Sequence, residues 1–201
     1  MKMPSTFTLL SSLALPFNTL FGRRVGLFPQ MDVASTARAL VERGLASDLS
    51  IGPALADRIV AECGRHTRVG PHLGSPVVRA LAGDDRILAV GRHYFEAEPR
   101  FHQSYLVWTA GGEGSERGLD REIVCLRALT FCVYLTDVDV RCSPHQLVVG
   151  ERTDTLLGSR GTAWFQDKAV LHRTAPHPQP NGCGTLLLTY TYTSPRRSAH
   201  G

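Results

Sequence analysis

Two histidines, His102 and His172, flank a stretch at 126–150 that runs from an apolar segment through an acidic turn into a second apolar segment (LRALTFCVYLTDVDVRCSPHQLVVG). His102 immediately precedes an aromatic run, YLVWT at 105–109, and His172 follows an apolar segment and a polar turn in WFQDKAVLHRT. Imidazole nitrogen suits iron, and two histidines with one carboxylate on a common face leave coordination positions open for oxygen and substrate. An isolated histidine is more often structural or exposed, so the metal reading rests on position, at strand ends where a β-barrel would point ligands into its mouth. Other chemistry-bearing residues read more plainly. Asp137 and Asp139, two apart, would share one strand face but read as turn caps. His93, His145 and His177 are further ligand candidates; His145 falls in a turn and His177 in the proline-rich APHPQPNG, so both read as exposed. Ser143 has no visible His/Asp set for a hydrolase, and GGEG at 111–114 does not join a strand to a helix as a phosphate-binding loop does.

The elements that must position these residues come in two textures. Asp32 is an N-cap for a helix that carries Val33, Ala37, Leu40 and Val41 on one face and ends at Gly44. A second helix starts at Pro53, where the missing N–H costs nothing, and buries Leu55, Ile59, Val60 and Cys63. After Gly70-Pro71 the sequence reads as a short helix at 77–81, then as strands at 87–90, 94–95, 105–109, 123–135, 146–149, 162–165 and 185–193. The loop AGGEGSERG at 110–118 is flexible in composition. Short strands roughly ten residues apart predict a β-sandwich or barrel of jelly-roll type with an N-terminal helical layer. The expected division is an arm at 1–30 and a single domain at 31–201, with a helical buttress at 31–66 and the barrel at about 85–193.

Composition narrows the function classes. At 201 residues, 43% hydrophobic and 20% charged, the chain can bury a sizeable core. Its net charge of +4 is spread out, with isolated Arg23-Arg24 and Arg196-Arg197 pairs and no basic run interleaved with aromatics, so nucleic acid is not an expected partner. No stretch approaches the ~20 apolar residues that span a bilayer. Residues 7–17 (FTLLSSLALPF) have some signal-peptide character after Lys2 but contain Pro16 and lack a small-residue cleavage site. Five cysteines, odd in number and in no C-x-x-C arrangement, read as thiols in a reducing compartment, and the expected location is the cytoplasm.

Leu135-Thr136-Asp137-Val138-Asp139, followed by Ser143-Pro144 and Val148-Val149-Gly150-Glu151, resembles the strand, acidic turn and strand passage of the phytanoyl-CoA dioxygenase family. The segments at 161–174 and 186–192 resemble that family's distal-histidine strand and closing strand, and 39–63 its opening helix, strand and helix. The resemblance spans about residues 39–193 and is weak over 65–100. It implies a double-stranded β-helix, iron(II) and 2-oxoglutarate as cofactors, and oxidation of a small molecule, with His102 and His172 as metal ligands.

Two positions depart from the family pattern. Its proximal motif is His-any-Asp, matched here by His102-Gln103-Ser104, so serine stands where a carboxylate ligand belongs. Its cosubstrate-anchoring arginine matches the segment around Thr185, where no basic residue stands; a guanidinium suits a bidentate carboxylate pair and a hydroxyl does not. Three readings follow. Glu96, Glu98 or Asp139 supplies the carboxylate and Arg127 or Arg173 the anchor, although each singly reads more simply as a surface charge. Alternatively the protein is a halogenase variant, with Ser104 leaving room for chloride. The third is a barrel homologue without the metal chemistry that acts by binding or by a repurposed reaction. Substrate identity and oligomeric state are not encoded in these motifs.

Overall fold

In a computed structural model of the protein, residues 27–28, 30–109, 127–142, 144–149, 152–174 and 183–192 are described, with backbone alone at 109, 149 and 171–174. The expected arm at 1–30 therefore lies almost wholly outside the described residues. Helix α1 (Val33–Arg43) opens on the Asp32 carboxylate, which accepts the Ser35 N–H at 3.1 Å, and closes on Gly44 at φ 68°. A Cβ at Gly44 would come within 2.3 Å of Val170, so glycine serves both the left-handed turn and the close approach of the neighbouring loop. Strand β1 (Leu45–Ser50) follows, then helix α2 (Pro53–Cys63), which buries Ala56, Ile59 and Cys63. Strand β2 (Arg68–Gly70) leads through a 3-10 turn (Pro71–Gly74) into helix α3 (Pro76–Ala82), capped by the Ser75 hydroxyl.

Residues 87–90 and 94–95, read above as strands, belong to helix α4 (Asp85–Phe95). The Asp84 carboxylate accepts the Arg86 and Ile87 N–H groups at 3.0 and 3.2 Å. Ile87, Val90 and Tyr94 then recur at intervals of three and four on the buried face. Cap and period outweigh the strand preference of the β-branched and aromatic residues. After β1 and β2 the strands accordingly resume at Pro99, not near 85.

Seven further strands complete the chain: β3 (Pro99–Thr109), β4 (Leu129–Tyr134), β5 (His145–Val149), β6 (Arg152–Leu156), β7 (Thr162–Asp167), β8 (Leu171–Thr174) and β9 (Cys183–Tyr192). They form a six-stranded sheet in the order β1-β7-β4-β9-β3-β2 and a three-stranded sheet in the order β6-β5-β8. The ladders are antiparallel. The fold is mainly antiparallel β with a few helices, a jelly roll backed by an N-terminal helical layer. No helix among the described residues is long and apolar enough to cross a membrane.

The large sheet divides two cores. Phe131, Val133, Phe165, Leu186 and Leu188 face the helices and pack with Leu40, Ile59, Leu81 and Val90. On the other face Cys132, Tyr134 and Trp164 meet Leu147 of the small sheet, with Leu45 and Val138. Strand alternation produces both faces from the same residues in sequence, since successive side chains point to opposite sides.

Candidate functional site

The face of the large sheet turned toward the small sheet carries a polar row. Register sets Thr130 opposite Gln166 on one side and Thr189 on the other, and Thr189 opposite Gln103. Thr130, Gln166 and Thr189 are buried. The Gln166 side-chain carbonyl accepts the Trp164 indole N–H at 2.9 Å and meets His145 Nε2 at 2.9 Å, with the Cys132 thiol at 3.8 Å. A carbonyl only accepts, so this contact sets the His145 tautomer with its proton on Nε2. The Thr130 and Thr189 hydroxyls are buried with no hydrogen-bond partner. Gln103 Nε2 donates to the Tyr105 hydroxyl, and the Lys168 ammonium lies 5.9 Å from the Tyr105 ring.

His145 is thus not in an exposed turn, as the sequence suggested. It begins β5, is partly buried, and its ring lies 5.5 Å from that of Trp164. The signal that could have found it is the apolar run that follows directly, QLVV, which makes His145 a strand residue.

Among the described residues, the side chains singled out from the sequence are not brought to one place. His102 sits at a β-bulge: Phe101 pairs with Tyr190 and Gln103 with Thr189, so His102 is the extra residue, and it is exposed. The bulge reverses the alternation after it. Ser104 therefore pairs with Leu188 on the helix-facing side, fully buried, its hydroxyl without a partner. Spacing of His-any-Ser does not deliver two side chains to one point here, and Ser104 lies away from the interior between the sheets.

Arg127 also belongs to the helix side. Its guanidinium lies 4.4 Å from the Tyr94 ring centroid, and the Tyr94 hydroxyl donates to Asp167 at 2.5 Å. Burial first, then Asp167, pushes the Tyr94 phenol up to about 12. Thr185 faces the other way, opposite Tyr134 and Val107 in register. His172 and Arg173 lie on β8, with His172 opposite Leu147 and Arg173 opposite Gln146; their side chains fall outside the described residues. Of the three carboxylates weighed as ligands, Glu98 is in a bidentate pair with Arg92 at 2.9 and 3.0 Å, and Asp139 is held by Arg141 at 2.8 and 3.0 Å. Those arginines hold both carboxyls below their ordinary range. Glu96 closes α4 in a left-handed conformation at φ 53°.

A groove of about 690 Å³ opens at the rim beside the β4–β5 loop, lined in part by Arg65, Trp108, Thr136, Asp139, Cys142 and Cys183. Trp108 lies across Gly184, where a Cβ would come within 2.2 Å of the indole. Glycine at that position lets the aromatic ring lie flat against β9.

No family model and no curated protein matches the chain. Solved structures do. The fold is similar to AviO1 from Streptomyces viridochromogenes Tue57, at 12% identity and TM-score 0.69, covering 82% of this chain and 97% of that one. It is similar to HygX from Streptomyces hygroscopicus with nickel and 2-oxoglutarate bound, at 16% identity and TM-score 0.65, covering 79% and 86%. It also resembles SnoN, a non-heme alpha-ketoglutarate-dependent epimerase from nogalamycin biosynthesis, at 17% identity and TM-score 0.60, covering 80% and 82%. The chain has the fold of non-haem iron and 2-oxoglutarate enzymes.

Whether the residues fit iron is a separate matter. Among the described residues no three His, Cys, Asp or Glu side chains converge as a metal site requires. His102 and Ser104, on a bulge and on the far face respectively, do not fit as joint members of a coordination set.

Proposed function

We propose that the protein is an oxidoreductase of the iron(II)/2-oxoglutarate kind that acts on a small molecule, with His172 as a metal ligand. Support comes from one observation above the rest: the jelly roll shared over about four-fifths of the chain with enzymes of that kind, HygX with 2-oxoglutarate bound among them. Within that fold, His172 stands on β8 directly opposite Leu147, a core residue between the sheets. The buried row with two unsatisfied hydroxyls is the kind of polar lining that orients a ligand in an otherwise apolar pocket. Membership of the phytanoyl-CoA dioxygenase family and a cytoplasmic location belong to the same proposal.

A second reading, a barrel that binds its small molecule without metal chemistry, is favoured by a specific observation: the sealed position of Ser104 and the absence of a converging donor set among the described residues. The same position counts against the halogenase variant, which needs Ser104 beside the metal.

Anaerobic titration of the full chain with iron(II) and 2-oxoglutarate separates the two. The first reading expects stoichiometric iron and a weak visible charge-transfer band, lost in His172→Ala and kept in His102→Ala. No stoichiometric iron, with His172→Ala indistinguishable from wild type, would establish the metal-free reading instead.

A further inference from the structure

The sequence offers five cysteines and no C-x-x-C pair, yet the fold brings two of them, 41 positions apart (183 minus 142), to one groove. Cys142 lies in the β4–β5 loop and Cys183 begins β9; both line the rim groove. The Cys142 and Cys183 side chains neighbour one another in the wall of that groove, and Asp139 lines it beside them. Noncovalent ties already hold the two segments side by side: the Leu135 N–H donates to the Gly184 carbonyl at 2.8 Å, and the Gly184 N–H to the Thr136 hydroxyl at 3.3 Å. The loop is braced locally by the Cys142 N–H on the Asp139 carbonyl at 3.0 Å.

We propose that Cys142 and Cys183 are a reversible disulfide site: a hydroperoxide oxidises the pair, and the bond fastens loop 136–142 to the first residue of β9 along the wall of the groove. The two thiols differ in a way that orders the chemistry. Cys142 is partly exposed in the groove, whereas Cys183 is buried. Burial first, then its contact with Cys142, pushes the Cys183 thiol up to about 12, so it remains protonated and waits. The sulfur of Cys142 attacks the hydroperoxide, the O–O bond breaks, and one molecule of alcohol or water leaves; Cys142 becomes a sulfenic acid. Sulfur of Cys183 then displaces the sulfenic oxygen, which leaves as water with the Cys183 proton. In sum the two thiols lose two electrons and two protons, and the hydroperoxide is reduced to alcohol and water. The product is a bond of about 2.05 Å between the two sulfurs. Among the described residues the other two cysteines, Cys63 and Cys132, do not compete, since both are buried in the apolar cores on other elements. The site needs no metal and does not rest on the function proposed above.

The test uses the full chain, reduced, then treated with a small excess of hydrogen peroxide, alkylated and digested without reductant. The expected result is a peptide linking Cys142 to Cys183, two hydrogens lighter than the sum of its parts, abolished by dithiothreitol and absent in Cys142→Ser and Cys183→Ser. In the folded protein, tryptic cleavage after the exposed Arg141 should slow by roughly tenfold on oxidation, as restricting a local opening requires. The proposal is overturned if both cysteines stay alkylatable, if Cys142 passes to sulfinic acid, or if it bridges to another cysteine. Cross-linking with cleavage after Arg141 unchanged would overturn the fastening.

Discussion

The two faces of the six-stranded sheet are built from the same strands and differ in kind. Toward the helices lie Phe131, Phe165, Leu186 and Leu188, with ring centroids of Phe131 and Phe165 4.8 Å apart and Phe28 packed edge-on to Phe131 at 5.6 Å. Toward the small sheet, one residue along in each strand, lie Thr130, Gln166 and Thr189, together with Trp164 and Cys132. One face minimises polar content and holds the helical layer on. The other carries a polar row whose Thr130 and Thr189 hydroxyls have no partner among the described residues, a cost that the Ser104 hydroxyl alone shares on the helix side. A side chain's role in this molecule therefore depends first on which face it takes, and only then on its chemical type.

The largest expected effect tests the apolar face. Phe131→Ala should lower the unfolding free energy by about 3–5 kcal/mol through lost transfer energy and a cavity, measured by urea denaturation. A loss below about 1 kcal/mol would mean that this face does not carry the fold. On the polar face, Gln166→Leu removes the acceptor of both the Trp164 and His145 N–H groups. It should cost about 1–3 kcal/mol in the same measurement, since two donors are stranded in a buried site. An unchanged midpoint would show the row to be wet and adaptable.

Alkaline pH addresses the helix side through Tyr94. The Tyr94 phenol is raised from 10 to about 12, chiefly by burial and secondarily by Asp167. Its contribution to stability is therefore fully present below pH 10 and is lost as pH rises from about 10 to 12, because the unfolded chain releases its proton first. Tyr94→Phe should flatten part of the fall in urea midpoint between pH 9 and pH 11; an identical slope in wild type and variant would refute the assignment. The smallest effect is the sharpest for the site. Ser104→Ala removes a buried hydroxyl that has no partner, so stability should change by less than about 1 kcal/mol, or rise, and any activity should persist. Loss of activity in a folded Ser104→Ala protein would return Ser104 to the chemistry.

Much of the scaffold was legible. Asp32 and Gly44 bound a helix by their own side-chain and backbone preferences, and Pro53 starts the next; these are local rules, and the structure follows them. The apolar run at 123–135, with Thr130, Val133 and Tyr134 in it, and the alternation at the end of 185–193 also announced strands. Misreading 87–95 as strand came from weighing residue preference above the Asp84 cap and the three-and-four spacing. The halves of the site differ more. His172 on its strand was foreseeable from the segment around it, whereas the fate of Ser104 was not.

What the sequence determines by itself is which segments become helices and strands, because caps, prolines and periodicity act within a few residues. Facing and contact are decided only when strands pair. One extra residue at His102 turns Ser104 from the barrel side to the helix side, and nothing in the local sequence marks that bulge, since it is set by the register with β9. Packing of the small sheet against the large one brings His145 onto Gln166, and the β4–β5 loop folds Cys142 beside the start of β9 in one groove wall, joining residues far apart in the chain. Such meetings depend on how strands pair and sheets stack, a property of the assembled fold and not of any one strand.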